Sequence, residues 1–106
     1  MNLSPYHSAW IASNLGLTYC VMGRLAAGER VFRQVVKHHP DYLRAYIGLA
    51  VVESRLGHTE DARRAATMIE RLDPLFRAEE WGRSQLYTDP AVVEAFTHDL
   101  KRAGVQ

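Results

Sequence analysis

Apolar residues recur along this chain at spacings of three and four positions, which brings them to one face of a helix. The strict alternation that indicates a half-buried strand never extends over more than four residues. The pattern predicts helices over residues 25–38, 42–56 and 59–72, and a further helix before them. We therefore expect an all-α fold.

Each predicted helix has its own apolar face. In chain order, these faces carry Ile11, Leu15, Thr18 and Met22; Val31, Phe32, Val35 and Val36; Tyr46, Leu49, Ala50 and Val52; and Ala62, Ala65, Ala66, Ile69 and Leu72. Leu17 and Val21 lie beside the first face. Thr59 is predicted to be the N-cap of the fourth helix, because Glu60 and Asp61 follow it and complement the positive end of the helix dipole.

Prolines and glycines divide these helices at a regular interval. Pro40 lies 35 residues after Pro5 and 34 residues before Pro74. Gly23 and Gly57 are also 34 residues apart. A proline restricts the preceding residue to extended geometry, and a glycine easily adopts the left-handed conformation that ends many helices. The spacing thus predicts two helical hairpins, each turning at a glycine.

The two hairpins, over about residues 8–40 and 41–74, carry similar residue types at corresponding positions. The corresponding residues are Leu15, Gly16, Tyr19, Phe32 and Pro40 in the first hairpin and Tyr46, Leu49, Ala50, Ala62 and Pro74 in the second. With its 34-residue period, this pattern resembles the tetratricopeptide repeat (TPR) family. The departures from the family pattern are Ala12, Gly28, Glu53 and Ala66. The resemblance implies a superhelix of closely packed hairpins, and a generic four-helix bundle with coincidental spacing is the alternative.

Beyond the second hairpin the 34-residue period fades. The sequence predicts a short helix over residues 76–86 and a final helix that begins at Asp89-Pro90 and ends at Gly104. The apolar stripe of the final helix consists of Val93, Phe96, Leu100 and Ala103. Residues 75–104 are therefore expected to form a two-helix cap over the last hydrophobic face of the repeats.

The tail supports a second resemblance. It contains Leu72, Asp73, Pro74, Trp81, Tyr87, Asp89, Pro90, Glu94, Phe96, Leu100, Lys101, Ala103 and Gly104. Over residues 40–104 this combination resembles the C-terminal region of bacterial class III adenylate/guanylate cyclases that carry TPR repeats. The resemblance implies attachment to a cyclase, although the catalytic motifs of such enzymes are absent from this sequence. Similar tails occur in bacterial regulators with an N-terminal winged helix.

The N-terminus is expected to continue into a longer protein. Pro5 closes a unit whose helices would lie upstream, so we interpret the chain as the C-terminal fragment of a longer protein. A natural start at Met1 is the alternative.

Composition and charge narrow the function classes. The 106 residues fit a single domain, and the hydrophobic fraction of 47% is typical of a folded chain. A net charge of +1 argues against nucleic-acid binding. The single cysteine, Cys20, excludes an intrachain disulfide, and no apolar run is long enough to cross a bilayer. A cytoplasmic location without membrane insertion is expected.

No catalytic, cofactor or metal site is predicted. The adjacent His38 and His39 point about 100° apart on a helix, so they do not converge on one ion. The remaining histidines lie in separate segments and are expected to be solvated at helix ends: His7, His58 and His98. Cys20 has no base that the sequence can assign to it. Arg33 and Glu29 belong to a mixed-sign surface that is also expected to be solvated.

The resemblance to TPR proteins implies a concave groove lined by the first helix of each hairpin. The predicted partner-binding residues are Trp10, Ser13, Leu17, Cys20, Arg44, Ile47, Val51, Ser54 and Arg55. The carboxylate clamp with which some family members bind chaperone tails is not reproduced, since Leu17 and Val51 occupy positions that need polar side chains. Packing of these residues against an upstream repeat or against the C-terminal cap is the alternative.

A non-catalytic protein–protein interaction module is therefore the predicted function. The expected partner is a protein or peptide: a second copy in a homodimer, or the rest of the parent chain. Self-association is favoured because two hairpins bury little core and repeat arrays usually need about three units. A free-standing TPR scaffold, the sensor end of a winged-helix regulator and an enzyme in its own right are the alternatives.

Overall fold

A computed structural model describes residues 7–84 and 89–106 of the chain. Within these ranges the regular structure is entirely helical, with six helices and no strand. The helices are α1 (His7–Val21), α2 (Leu25–His38), α3 (Leu43–Leu56), α4 (Thr59–Leu72), α5 (Ala78–Ser84) and α6 (Pro90–Ala103). None of the helices in the described ranges has both the length and the apolar character needed to cross a membrane.

The helix boundaries agree closely with the sequence pattern. The bounds of α2 and α4 are those predicted, and α3 begins one residue later than predicted because Tyr42 is its N-cap. Asp89 caps α6 by accepting a hydrogen bond from the Ala91 backbone N–H at 2.9 Å, with Pro90 in the first turn, as predicted. The predictions that involve Pro5 and residues 85–88 lie outside the described residues.

The predicted glycine turns are confirmed. Gly23 and Gly57 have φ angles of 78° and 80°, in the left-handed region. After Gly57, the His58 backbone N–H donates to the Glu53 carbonyl at 2.9 Å, which completes a Schellman-type helix end. Thr59 is not the N-cap of α4: His58 occupies that position, and Thr59 is already helical.

The helices pack as two successive hairpins with α3 at the centre. Helices α1 and α2 form one hairpin and α3 and α4 the next, while α3 also contacts α1, α2 and α6. Phe32 of α2 is fully buried between two glycines. A Cβ atom would lie 2.6 Å from the Phe32 ring at Gly16 and 2.2 Å from it at Gly48. The predicted role of Gly16 in close helix packing is confirmed, whereas the equivalent role of Gly48 was not predicted.

The predicted apolar faces are buried in α4 and α6 but not in α1. Ala62, Ala65, Ala66 and Ile69 of α4 and Phe96, Leu100 and Ala103 of α6 all lie in the core. In α1 the predicted face is exposed, and the buried residues are Ala9, Ser13, Gly16, Leu17 and Cys20. The prediction fails because α1 is apolar on both faces, so periodicity alone cannot select the buried one. The face with the smaller residues is the one that packs against α2 and α3.

Candidate functional site

The predicted concave groove is largely filled by α6 of the same chain. Five of its residues lie in the interior: Ser13, Leu17, Cys20, Val51 and Ser54. This burial contradicts their predicted role as an open partner-binding surface. The alternative, packing against the C-terminal cap, describes Ser54, whose hydroxyl donates to the Asp99 carbonyl of α6 at 3.0 Å.

Arg55 fixes α6 in this position. Its Nε donates to Asp99 Oδ2 at 2.6 Å and its Nη1 donates to the Cys20 carbonyl at 3.0 Å. Its guanidinium also lies 5.2 Å from the centroid of the Phe96 ring. A single side chain of α3 thereby joins α1 to α6. Arg55 is thus a structural residue, not a partner-binding one.

Cys20 is not suited to nucleophilic chemistry. Burial raises the pKa of its thiol to about 11. A thiol with so high a pKa is almost entirely protonated at neutral pH, whereas the reactive form is the thiolate. The prediction of a buried thiol is confirmed.

Two of the predicted groove residues, Arg44 and Ile47, line a smaller open groove. It has a volume of about 570 Å³ and lies between the start of α3 and the segment that leads from α4 to α5. Phe76 and Trp81 form its opposite wall. Arg44 Nη2 donates to Asn14 Oδ1 at 3.0 Å, which orients the guanidinium between α1 and α3.

The outward face of α1 is the main exposed apolar surface of the described residues. We call Ile11, Leu15, Thr18 and Met22 the outer face of α1. Ile11, Leu15 and Met22 are 51%, 45% and 60% exposed, and the ninth predicted groove residue, Trp10, is 51% exposed beside them. Helix α1 contains no aspartate, glutamate, lysine or arginine. A helix face in permanent contact with water normally carries such residues, so this face has the composition of an interface.

A second groove, the α1–α2 groove, adjoins this face. It has a volume of about 520 Å³ and is lined by Ser8, Ala9, Ala12, Leu15, Arg30, Val31, Gln34, Val35, His38 and His39. Leu15 belongs both to the groove and to the outer face of α1. The two features together make a continuous apolar edge on the first hairpin.

A cluster of charged residues joins α2, α3 and the start of α4. We call Glu29, Arg33, Glu53, His58 and Asp61 the acid–base cluster. Arg33 Nη2 lies 2.8 Å from Glu53 Oε2, 3.4 Å from Glu29 Oε2 and 3.5 Å from Asp61 Oδ2. His58 Nδ1 lies 3.2 Å from Glu29 Oε2 and 3.2 Å from Glu53 Oε1. The cluster was not predicted, because His58, Arg33 and Glu29 were expected to be merely solvated.

Burial and hydrogen bonding shift the titration of this cluster. Burial raises the pKa of Glu53, whose side chain is only 2% exposed. A hydrogen bond with Glu53 lowers the pKa of Glu29, and a hydrogen bond with Glu53 raises the pKa of His58. Glu53 is the one signal that the sequence offered: it places a charge where the TPR pattern has an aromatic residue.

The chain matches no protein-family model, no curated protein and no solved structure. Its function has therefore to be inferred from its own surfaces.

Proposed function

We propose that this chain is a TPR-like module of two helical hairpins and a two-helix cap, and that it functions in protein–protein interaction by self-association. The succession of hairpins and the glycine turns that are 34 residues apart support the TPR-like assignment. The observation that carries the function is the uncharged, exposed outer face of α1.

The spacing of this face favours another helix as its partner. Ile11, Leu15, Thr18 and Met22 follow one another at intervals of four, three and four residues, which is the spacing of a two-helix seam. In an isologous dimer α1 of one copy packs on α1 of the other. Since the helix carries no charged residue, like charges do not oppose this contact. A second copy of the chain is therefore the partner that we propose.

The α1–α2 groove completes the proposed contact. Helix α1 has 15 residues, so it is about 22 Å long and about 10 Å wide. Its outer face alone covers less than the about 800 Å² per partner that a stable interface buries. The groove extends the apolar surface from Leu15 to Val31 of α2. Contact with both features gives the dimer the area that it needs.

The test is the oligomeric state of the parent and of a Leu15→Glu variant, measured by sedimentation equilibrium at micromolar concentration. The parent is expected to be a dimer. The variant is expected to be a folded monomer, because a carboxylate at the seam would have to be buried without a counter-charge. Thr67→Glu, which adds the same charge to an exposed position of α4, is the matched control and should remain dimeric. A parent that is monomeric at these concentrations contradicts the proposal.

The tail resemblance extends the proposal to the parent protein: self-association of this region would bring two attached cyclase catalytic domains together. A free-standing TPR scaffold and the sensor end of a winged-helix regulator are the alternatives. The gene sequence upstream of Met1 distinguishes the three, since it encodes a cyclase domain, no domain or a winged helix.

A further inference from the structure

The acid–base cluster brings three metal-ligand atoms from different parts of the chain to one point. Glu29 comes from α2, Glu53 from the buried side of α3, and His58 from the turn before α4. Their candidate ligand atoms all lie within 4.8 Å of one another, and they form the only such group of three among the residues that the structure describes. This convergence lies away from the outer face of α1, so it is independent of the proposed self-association.

The separations of these atoms fit a tetrahedral ion. Zinc binds imidazole nitrogen and carboxylate oxygen at about 2.1 Å, so adjacent ligand atoms of a tetrahedral site are about 3.4 Å apart. His58 Nδ1 lies 3.2 Å from Glu29 Oε2 and 3.2 Å from Glu53 Oε1. We propose that Glu29, Glu53 and His58 bind a divalent transition-metal ion of the zinc type through these three atoms.

Arg33 supports this assignment, because it separates the two oxygens of Glu53. Its Nη2 contacts Oε2 at 2.8 Å, which leaves Oε1 directed toward His58. Metal-binding carboxylates commonly have such a hydrogen-bonded partner on the oxygen that does not bind the ion. The cluster also contains three carboxylates but only one arginine, so a divalent cation compensates a local excess of negative charge.

The backbone holds the ligands in place before an ion arrives. Glu53 is buried in α3, and the helix end at Gly57 places His58 beside it. The His58 side chain is 46% exposed, which gives an ion access from solvent and leaves a fourth coordination position for water. Because the three ligands come from α2, α3 and the start of α4, a bound ion would link the two hairpins.

The experiment is a titration of the untagged full chain with Zn²⁺ by isothermal calorimetry, with Co²⁺ absorption as a report on tetrahedral geometry. We expect one saturable equivalent per chain and a melting temperature that rises with the Zn²⁺ concentration. His58→Ala and Glu29→Gln should each weaken binding at least tenfold, since even outer-shell changes cost 10–100-fold. Glu29→Gln is included because Glu29 is partly exposed, so its substitution leaves the core intact.

Two histidine variants are the matched controls. His98→Ala removes an exposed histidine of α6, and His38→Ala removes one from the helix-end pair. Both should bind Zn²⁺ as the parent does. Absence of saturable binding to the parent would overturn the proposal, and so would unchanged affinity in His58→Ala. Loss of binding in His38→Ala would instead assign the ion to the pair at the end of α2.

Discussion

At the scale of single residues, the distance between the hairpins depends on one aromatic ring and two positions without a Cβ atom. Phe32 fits between Gly16 of α1 and Gly48 of α3, where any larger residue would meet the ring. The glycines are therefore required by packing and not by backbone conformation, since both lie inside helices.

Gly48→Ala tests this packing through the sign of its effect. At an open helix position the change stabilises, because alanine is the better helix former by about 1 kcal/mol. Here the new Cβ would lie 2.2 Å from the buried Phe32 ring. We expect a loss of about 1–3 kcal/mol in the free energy of unfolding, the usual cost of overpacking. Urea denaturation at fixed protein concentration measures it.

A compensating variant controls for other causes of this loss. Phe32→Leu introduced together with Gly48→Ala should recover part of the stability, because the smaller side chain makes room for the methyl group. An increase in stability from Gly48→Ala alone would show that the ring moves aside without cost.

His58 makes the stability of the fold depend on pH. Its folded-state pKa is raised by the hydrogen bond with Glu53, so the protonated form is favoured in the native state. This contribution is fully present below the unfolded-state pKa of about 6.5 and is lost as the pH rises through the higher folded-state value. In metal-free buffer, the parent should exceed His58→Gln in melting temperature at pH 6, and the difference should shrink toward pH 9.

Glu29 provides the control for this pH dependence. Because Glu29 adds to the rise in the His58 pKa, the same comparison in a Glu29→Gln background should give a smaller difference at pH 6. A difference between parent and His58→Gln that is constant from pH 6 to pH 9 contradicts the prediction.

At the scale of helices, α6 is held against α3 by the ion pair of Arg55 and Asp99. The side chain of Asp99 is only 6% exposed, and that of Arg55 is 22% exposed. Removing one member of such a pair leaves the other charge buried without a partner, which costs more than the pair itself contributes.

Arg55→Met should therefore destabilise the protein by about 3 kcal/mol, the lower end of the range for a buried pair because Arg55 is partly exposed. The loss should be concentrated at α6. Trp81 packs against Phe96 of α6, with ring centroids 6.0 Å apart, and can report the release of this helix by fluorescence. Because the chain has two tryptophans, the measurement uses a Trp10→Phe background.

Removing both charges is the control for the ion pair. Arg55→Met combined with Asp99→Leu should recover most of the stability, because no buried charge is left unpaired. If the double variant is as unstable as Arg55→Met alone, the contacts of Arg55 with Cys20 and Phe96 matter more than the charge of Asp99.

At the scale of the whole molecule, local patterns predicted the helices better than the surfaces. The bounds of α2 and α4 were predictable because one face is apolar and a glycine or proline stands at the end. The buried face of α1 was not, because both of its faces are apolar. The filling of the groove by α6 depends on how the cap docks, and no local pattern encodes this. The acid–base cluster is likewise a product of hairpin packing, since Glu29 and His58 are 29 residues apart.

The position of α6 gives the molecule two unlike ends. At one end α6 lies across α3 and α4, so no further hairpin can be added there. At the other end the outer face of α1 and its groove are uncovered. An assembly formed through the uncovered edge therefore terminates after two copies, since each copy brings one such edge and uses it. The cap thereby guards against open-ended filaments, which repeat proteins with two adhesive ends are prone to form.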